Sequence, residues 1–279
     1  MNKLILARLA AVFTAGVLTA CGVTGKSGKN DDFPETTTAE AEPVMMSAQA
    51  AKNQSALSAE KHGYGQGVQV DEKNRTTGAL DFNSTYGKFN ATALNEDTDN
   101  ITLTFDQGYE NGYTSGILDT LKEKNVKAVF FLVQDYAERN PELVRRMIDE
   151  GHTVANHSVH HYSMPTLTSE TAHSEIMGMH EYMQKNFGVD MNLFRPPMGE
   201  FSEQSLAVTS DCGYRTMLWS FAYADWDTDD QPDPAQSLEK LKNAAHPGAI
   251  YLLHSVSATN AQILPDMIDA IRAEGFEFN

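Results

Sequence analysis

The sequence predicts an α/β chain whose main domain, residues 98–279, is a distorted barrel of about seven parallel strands with helices between them. Two observations predict it. From Ile101 onward, short runs of β-branched or aromatic residues alternate with amphipathic helical stretches, the rhythm of parallel βα units. The polar residues able to do chemistry fall at the ends of those runs, on the edge where a parallel barrel gathers its loops.

The expected strands, in order, are Ile101–Asp106 (ITLTFD), Lys127–Val133 (KAVFFLV), His152–Asn156 (HTVAN), Leu193–Pro197 (LFRPP), Arg215–Phe221 (RTMLWSF), Ala249–His254 (AIYLLH) and Phe276–Phe278 (FEF). One helix opens at Asn140 and Pro141, places Leu143, Val144, Met147 and Ile148 on an apolar face, and closes at Gly151. Another begins near Ser202, and a third runs through Ile263–Gly275.

Upstream the composition changes. Residues 1–20 set Lys3 and Arg8 before an apolar stretch too short and too weakly bounded for a membrane span, and read as an export signal. Leu18-Thr19-Ala20-Cys21 resembles a bacterial lipobox, which makes Cys21 the lipidated first residue of an extracytoplasmic protein held to the cell membrane; an ordinary signal peptide with a chance cysteine is the alternative. Residues 21–60, poor in aromatics and rich in Thr, Ala, Glu and Ser, are expected to be a flexible tether. Residues 61–97, with isolated aromatics at Tyr64, Phe82, Tyr86 and Phe89, are expected to pack on the domain edge as an N-terminal extension.

The formal charge is -17, and removal of Lys3 and Arg8 with the signal takes it to -19. Nucleic acid and anionic surfaces repel such a protein, so neither is an expected ligand. With Cys21 lipidated only Cys212 remains; it cannot form an internal disulfide and reads as a small buried hydrophobe at a helix end. The chain is read as a monomer.

Asp106 ends the first expected strand, His157 and His161 follow the third, Arg195 lies in the fourth, Asp225 follows the fifth and His254 ends the sixth. Each alone has a plain reading. A His pair at i, i+4 is weak evidence in a chain with nine histidines, Arg195 before two prolines fits a surface turn, and Asp225-Trp226 fits a polar strand end. Their coincidence on one edge makes them a candidate site.

In these motifs the chain resembles the carbohydrate esterase family 4 polysaccharide deacetylases, the NodB homology domain, over about residues 98–279. Thr104-Phe105-Asp106-Gln107-Gly108 stands for TFDDG, His157 to His161 for HSxxH, Arg195-Pro196-Pro197-Met198-Gly199 for RxPxG, Asp225-Trp226 for the end of DxxDW, and Ile250 to His254 for the last motif. The resemblance implies a distorted (β/α) barrel and amide hydrolysis. Asp106 would be the base, Arg195 its partner, His254 the acid and Asp225 the support of that acid. Trp226, Leu252 and Pro197 would bind substrate, with Trp226 and Leu252 walling a pocket for the acetyl methyl. His157 and His161 would ligate a divalent metal such as zinc, with Gln107 offering an uncharged oxygen and so weaker binding.

Two positions depart from the family pattern: Gln107 replaces the second aspartate of TFDDG, and Ala222 replaces the first of DxxDW. The longer strings TFDQGYENGYT and HPGAIYLLHSVS are similar to the delta-lactam-biosynthetic branch, which removes acetyl from peptidoglycan N-acetylmuramic acid and carries an amide at the second aspartate. That branch implies peptidoglycan glycan strands as partner and spore cortex modification as setting. The alternatives are a deacetylase of N-acetylglucosamine polymers or acetylxylan, and an inactive carbohydrate-binding protein.

Overall fold

The computed structural model describes residues 47–279. The expected export signal, Cys21 and most of the expected tether lie outside the described residues. Eight strands form one sheet: β1 (Ala91–Thr92), β2 (Thr102–Gln107), β3 (Ala128–Leu132), β4 (Thr153–Asn156), β5 (Leu193–Phe194), β6 (Arg215–Met217), β7 (Phe221–Ala222) and β8 (Ile250–His254). Their spatial order is β1-β6-β5-β4-β3-β2-β8-β7, and every pairing is parallel.

Strands β6 and β7 sit near opposite ends of that order, yet only Leu218, Trp219 and Ser220 join them. Those residues span about 14 Å at full stretch, so the sheet has to curl until its ends approach each other. This is the distorted barrel expected from the sequence.

The strand inventory differs from expectation: the expected fourth strand stops at Phe194, short of Arg195, and an unexpected antiparallel pair joins His62–Gly63 to Glu200–Phe201. The expected fifth strand is split into β6 and β7, which bond to different neighbours. The expected FEF strand is reduced to a single bridge between Phe278 and Ile101. Strand β1 comes from the N-terminal extension and pairs with β6; two residues carry no periodicity to detect.

Alternation along the strands separates two cores. Leu103 and Phe105 face the helices with Ile117, Leu118, Ile263 and Leu264, while Val129, Phe131, Ala155, Met217 and Leu252 pack on the inner face. Thr104 and Asp106 therefore point inward. The expected helix starts hold: Pro141–Asp149 follows Asn140, and Ser202 with Ser205 forms a capping box ahead of Glu203–Asp211. The last helix, Ala258–Ala273, starts upstream of the expected stretch at a Ser257 cap. Cys212 ends its helix as expected, and burial pushes its thiol up to about 12.

The N-terminal extension packs on this domain. Tyr64 lies edge-on to Phe82 and Trp219, and Phe82 and Tyr86 lie edge-on or tilted against each other and Phe201. Its far end is locked at Gly248: φ is 72° there, and a Cβ would come 1.8 Å from the carbonyl oxygen of Asn95. The tether, expected over 21–60, has its downstream part on the domain instead. Ala48–Gln54 is helical, the Gln54 amide donates to Asp211 at 2.7 Å, and the Gln204 N–H donates to the Ser58 carbonyl at 3.0 Å. Polar composition hid this segment because its attachment uses hydrogen bonds. Among the described residues no helix is long and apolar enough to cross a membrane.

Candidate active site

The register of β2 against β8 sets Asp106 directly beside His254 at the carboxyl end of the sheet. Arg195, following β5, reaches under Asp106 from across the barrel. It is fully buried and donates to Asp106 Oδ1 at 2.7 Å, Thr104 Oγ1 at 2.8 Å, and the carbonyls of Met217 and Leu218 at 2.9 and 3.0 Å. Its guanidinium lies 4.1 Å over the Phe131 ring, which adds a cation–π contact to those hydrogen bonds. Burial acts to raise the Asp106 pKa, but the charge of Arg195, then those of His157 and His254, outweigh it and hold the carboxyl below the usual aspartate range.

His157 Nδ1–H donates to the Arg195 carbonyl at 2.7 Å, which leaves the Nε2 lone pair facing Asp106 Oδ2 at 3.6 Å. Burial pushes this imidazole down to about 4, so it is neutral at pH 7. His161 is brought 4.8 Å from it, ring centre to ring centre, by a loop in which Ser158 and His161 both adopt positive φ. Asn156 Oδ1 accepts from the Ser158 N–H and Ser158 Oγ from the His161 N–H, fixing that unusual backbone. Burial lowers the His161 pKa as well.

On the other side, His254 Nδ1–H donates to Asp225 Oδ1 at 2.7 Å, and the His254 main-chain N–H donates to Asp225 Oδ2 at 2.9 Å. Asn260, on the last helix, also donates to Asp225. Burial acts downward on His254, but the hydrogen bond and charge of Asp225, with Asp106 beyond, outweigh it and lift the imidazole above the ordinary histidine value.

These groups open into a cavity of about 670 Å³. Asp106, His157, His161 and His254 line it, as do Leu252 and Trp226, the expected acetyl pocket walls. Pro197 does not: it is buried in a turn of the RxPxG stretch, and its neighbours Met198 and Gly199 reach the cavity instead. Gln107 also fails to line it. Strand alternation turns its side chain away from that of Asp106, and its Nε2 donates to Ser255 Oγ at 2.5 Å; its Oε1 is buried without a protein partner. Tyr64, Gly65 and Gln66 of the extension form another wall, with Gln66 accepting from Trp219 Nε1 at 3.0 Å and donating to the Ala222 carbonyl at 3.0 Å. Sequence reasoning missed these three and Asn260. Tyr64 was visible as an isolated aromatic, whereas nothing local marks Gln66 or Asn260.

The polysaccharide deacetylase family model matches residues 82–217. The chain is also 42% identical over 198 residues to the peptidoglycan-N-acetylmuramic acid deacetylase PdaA of Bacillus subtilis, covering 70% of this chain and 75% of that one. The chain belongs to the polysaccharide deacetylase family. The solved structure of Bacillus subtilis PdaA, a family 4 carbohydrate esterase, superposes with a TM-score of 0.75 at 38% identity, over 80% of this chain and 96% of that one. The peptidoglycan-N-acetylglucosamine deacetylase PgdA of Listeria monocytogenes is 32% identical over 178 residues, 64% of this chain and 37% of the relative. The family model begins at residue 82, so the wall built by Tyr64, Gly65 and Gln66 lies outside the matched stretch.

Proposed function

We propose that this polysaccharide deacetylase hydrolyses the N-acetyl group of N-acetylmuramic acid in peptidoglycan, the step that exposes the amine needed for a muramic delta-lactam. The observation that carries the reaction is the pairing of an ionised Asp106 with a raised-pKa His254 on adjacent strands over one cavity. Opposed pKa displacements assign a base and an acid. The muramyl sugar is supported by the likeness to PdaA.

In this reaction Asp106 Oδ2 takes a proton from water while the water oxygen bonds to the acetyl carbonyl carbon. Arg195 keeps Oδ1 occupied and the carboxylate ionised. His254, its Nδ1–H held by Asp225, gives the Nε2 proton to the amide nitrogen as the C–N bond breaks, leaving acetate and a free amine. Leu252 and Trp226 shelter the acetyl methyl. The two neutral imidazoles fit a divalent metal, since His157 donates its Nδ1–H to a carbonyl and keeps Nε2 free. Such a metal, zinc in this reading, would be held by His157 and His161 and would polarise the acetyl carbonyl. Gln107 does not complete that set, and among the described residues no three His, Cys, Asp or Glu side chains form a metal-holding group.

The test is acetate release from muramyl and glucosaminyl peptidoglycan fragments. A higher kcat/KM on the muramyl sugar is expected. The likeness to PgdA favours the second reading, a glucosaminyl deacetylase, and the reverse ratio would establish it. The chemistry belongs outside the cytoplasm, where peptidoglycan lies, and lipid on Cys21 would keep the enzyme at that surface; loss of lipid labelling in Cys21→Ala tests the anchor.

A further inference from the structure

Among the described residues six large hydrophobic side chains are exposed, and four of them, Tyr109, Tyr162, Met198 and Trp226, stand on the loops after β2, β4, β5 and β7. Exposed apolar groups gathered at one edge mark a contact surface. Tyr109, Met198 and Trp226 line the cavity, whereas Tyr162 does not and has no part in the reaction above.

Tyr162 follows His161 directly, and its ring stacks on that of His160 with centroids 5.1 Å apart and planes 16° from parallel. His160 is itself clamped. Its main-chain N–H and its ring Nδ1–H donate to the two oxygens of Glu175 at 2.8 and 2.6 Å, and Glu175, in helix Ser169–Phe187, is only 5% exposed. Burying a carboxylate is unfavourable unless its oxygens are bonded, and here both bonds go to the residue beneath the tyrosine. The result is a ring pair fixed from below that still leaves 50% of Tyr162 and 59% of the His160 side chain open.

We propose that the His160–Tyr162 pair, held by Glu175, is a flanking sugar site, on which a pyranose next to the one being deacetylated lays its C–H face. The negative face of an aromatic ring attracts polarised C–H hydrogens, and a ring already immobilised loses little entropy on binding. Two features select a glycan strand as the occupant. The pair flanks His161, a residue of the cavity wall, on the same loop. A cavity of about 670 Å³ suits one small ligand, so a longer strand has to cross its rim. The assignment rests on the proposed action on peptidoglycan strands.

The experiment is calorimetric titration of acetylated, peptide-free glycan fragments, disaccharide and hexasaccharide, into the wild-type protein, Tyr162→Ala and Tyr162→Phe. Wild type and Tyr162→Phe are expected to bind the hexasaccharide more tightly than the disaccharide. Tyr162→Ala should lose about five- to tenfold of the hexasaccharide affinity, the scale of one aromatic contact. Tyr162 is half exposed, so an unchanged melting temperature is expected and separates lost contact from lost fold. A wild-type protein with no gain from length, or a Tyr162→Ala variant that keeps the whole gain, overturns the flanking site. Acetate release from the same fragments is scored separately. Length-dependent binding through Tyr162 without acetate would leave the sugar site standing and remove the hydrolase reading, and acetate release with no length effect would do the reverse.

Discussion

Replacing Arg195 by methionine keeps the apolar stem and removes the cation on which the barrel interior is organised. The guanidinium makes four hydrogen bonds from a position with no exposure: to Asp106, to Thr104 and to the carbonyls of Met217 and Leu218. Removing one partner of a buried ion pair costs about 3–5 kcal/mol, because the other charge stays buried and uncompensated. Against a typical total of about 5–15 kcal/mol, Arg195→Met should fold but sit near the margin at neutral pH.

The loss should depend on pH in a set direction. In the wild type the folded Asp106 pKa lies below its unfolded value of about 3.9, so its contribution is fully present above that value and disappears only as pH falls through the lower folded one. Without Arg195, which supplies both the largest opposing charge and the hydrogen bond, burial is opposed only by His157 and His254; the folded pKa rises and is expected to exceed the unfolded one. The variant then pays for an ionised or unfavourably protonating carboxyl at neutral pH, and that cost fades as pH drops toward the unfolded value. Urea unfolding of both proteins with a metal chelator present, from about pH 7 to about pH 4.5, should show a stability gap that narrows on acidification. A gap below about 1 kcal/mol, or one that stays constant across that range, would refute the argument.

Other perturbations test the remaining groups. Asp106→Asn and His254→Ala should each lower turnover at least about a hundredfold with the melting temperature of a folded protein, since acid and base contributions are usually of that size; near-normal acetate release would remove the residue from the mechanism. Asp225→Asn leaves burial to act on His254 without the carboxylate that raises its pKa, so the basic limb of the kcat profile should move to lower pH. An unmoved limb would make Asp225 a structural residue. Gly248→Ala should destabilise by about 1–3 kcal/mol in thermal unfolding, because the new Cβ meets the Asn95 carbonyl in a positive-φ backbone. Full stability in that variant would mean that the extension can shift away.

The sequence by itself determined the parallel βα architecture, because strand and helix periodicities are local, and it placed Asp106, His157, His161, Arg195, Asp225 and His254 at one edge because strand ends are local too. Tertiary structure decided what each touches. The split of Arg215–Phe221 between two neighbours follows from the curl that brings distant ends of the sheet together, and no run of residues records that curl. Gln107 sits beside Asp106 in sequence but alternation and Ser255 carry its amide elsewhere, whereas Gln66 becomes a cavity wall from far upstream by bonding Trp219 and Ala222. Nothing in the sequence around His160 records that packing of helix Ser169–Phe187 sets Glu175 beneath it. Contacts between residues far apart in the chain depend on how elements pack, and that information is absent from any short window of sequence.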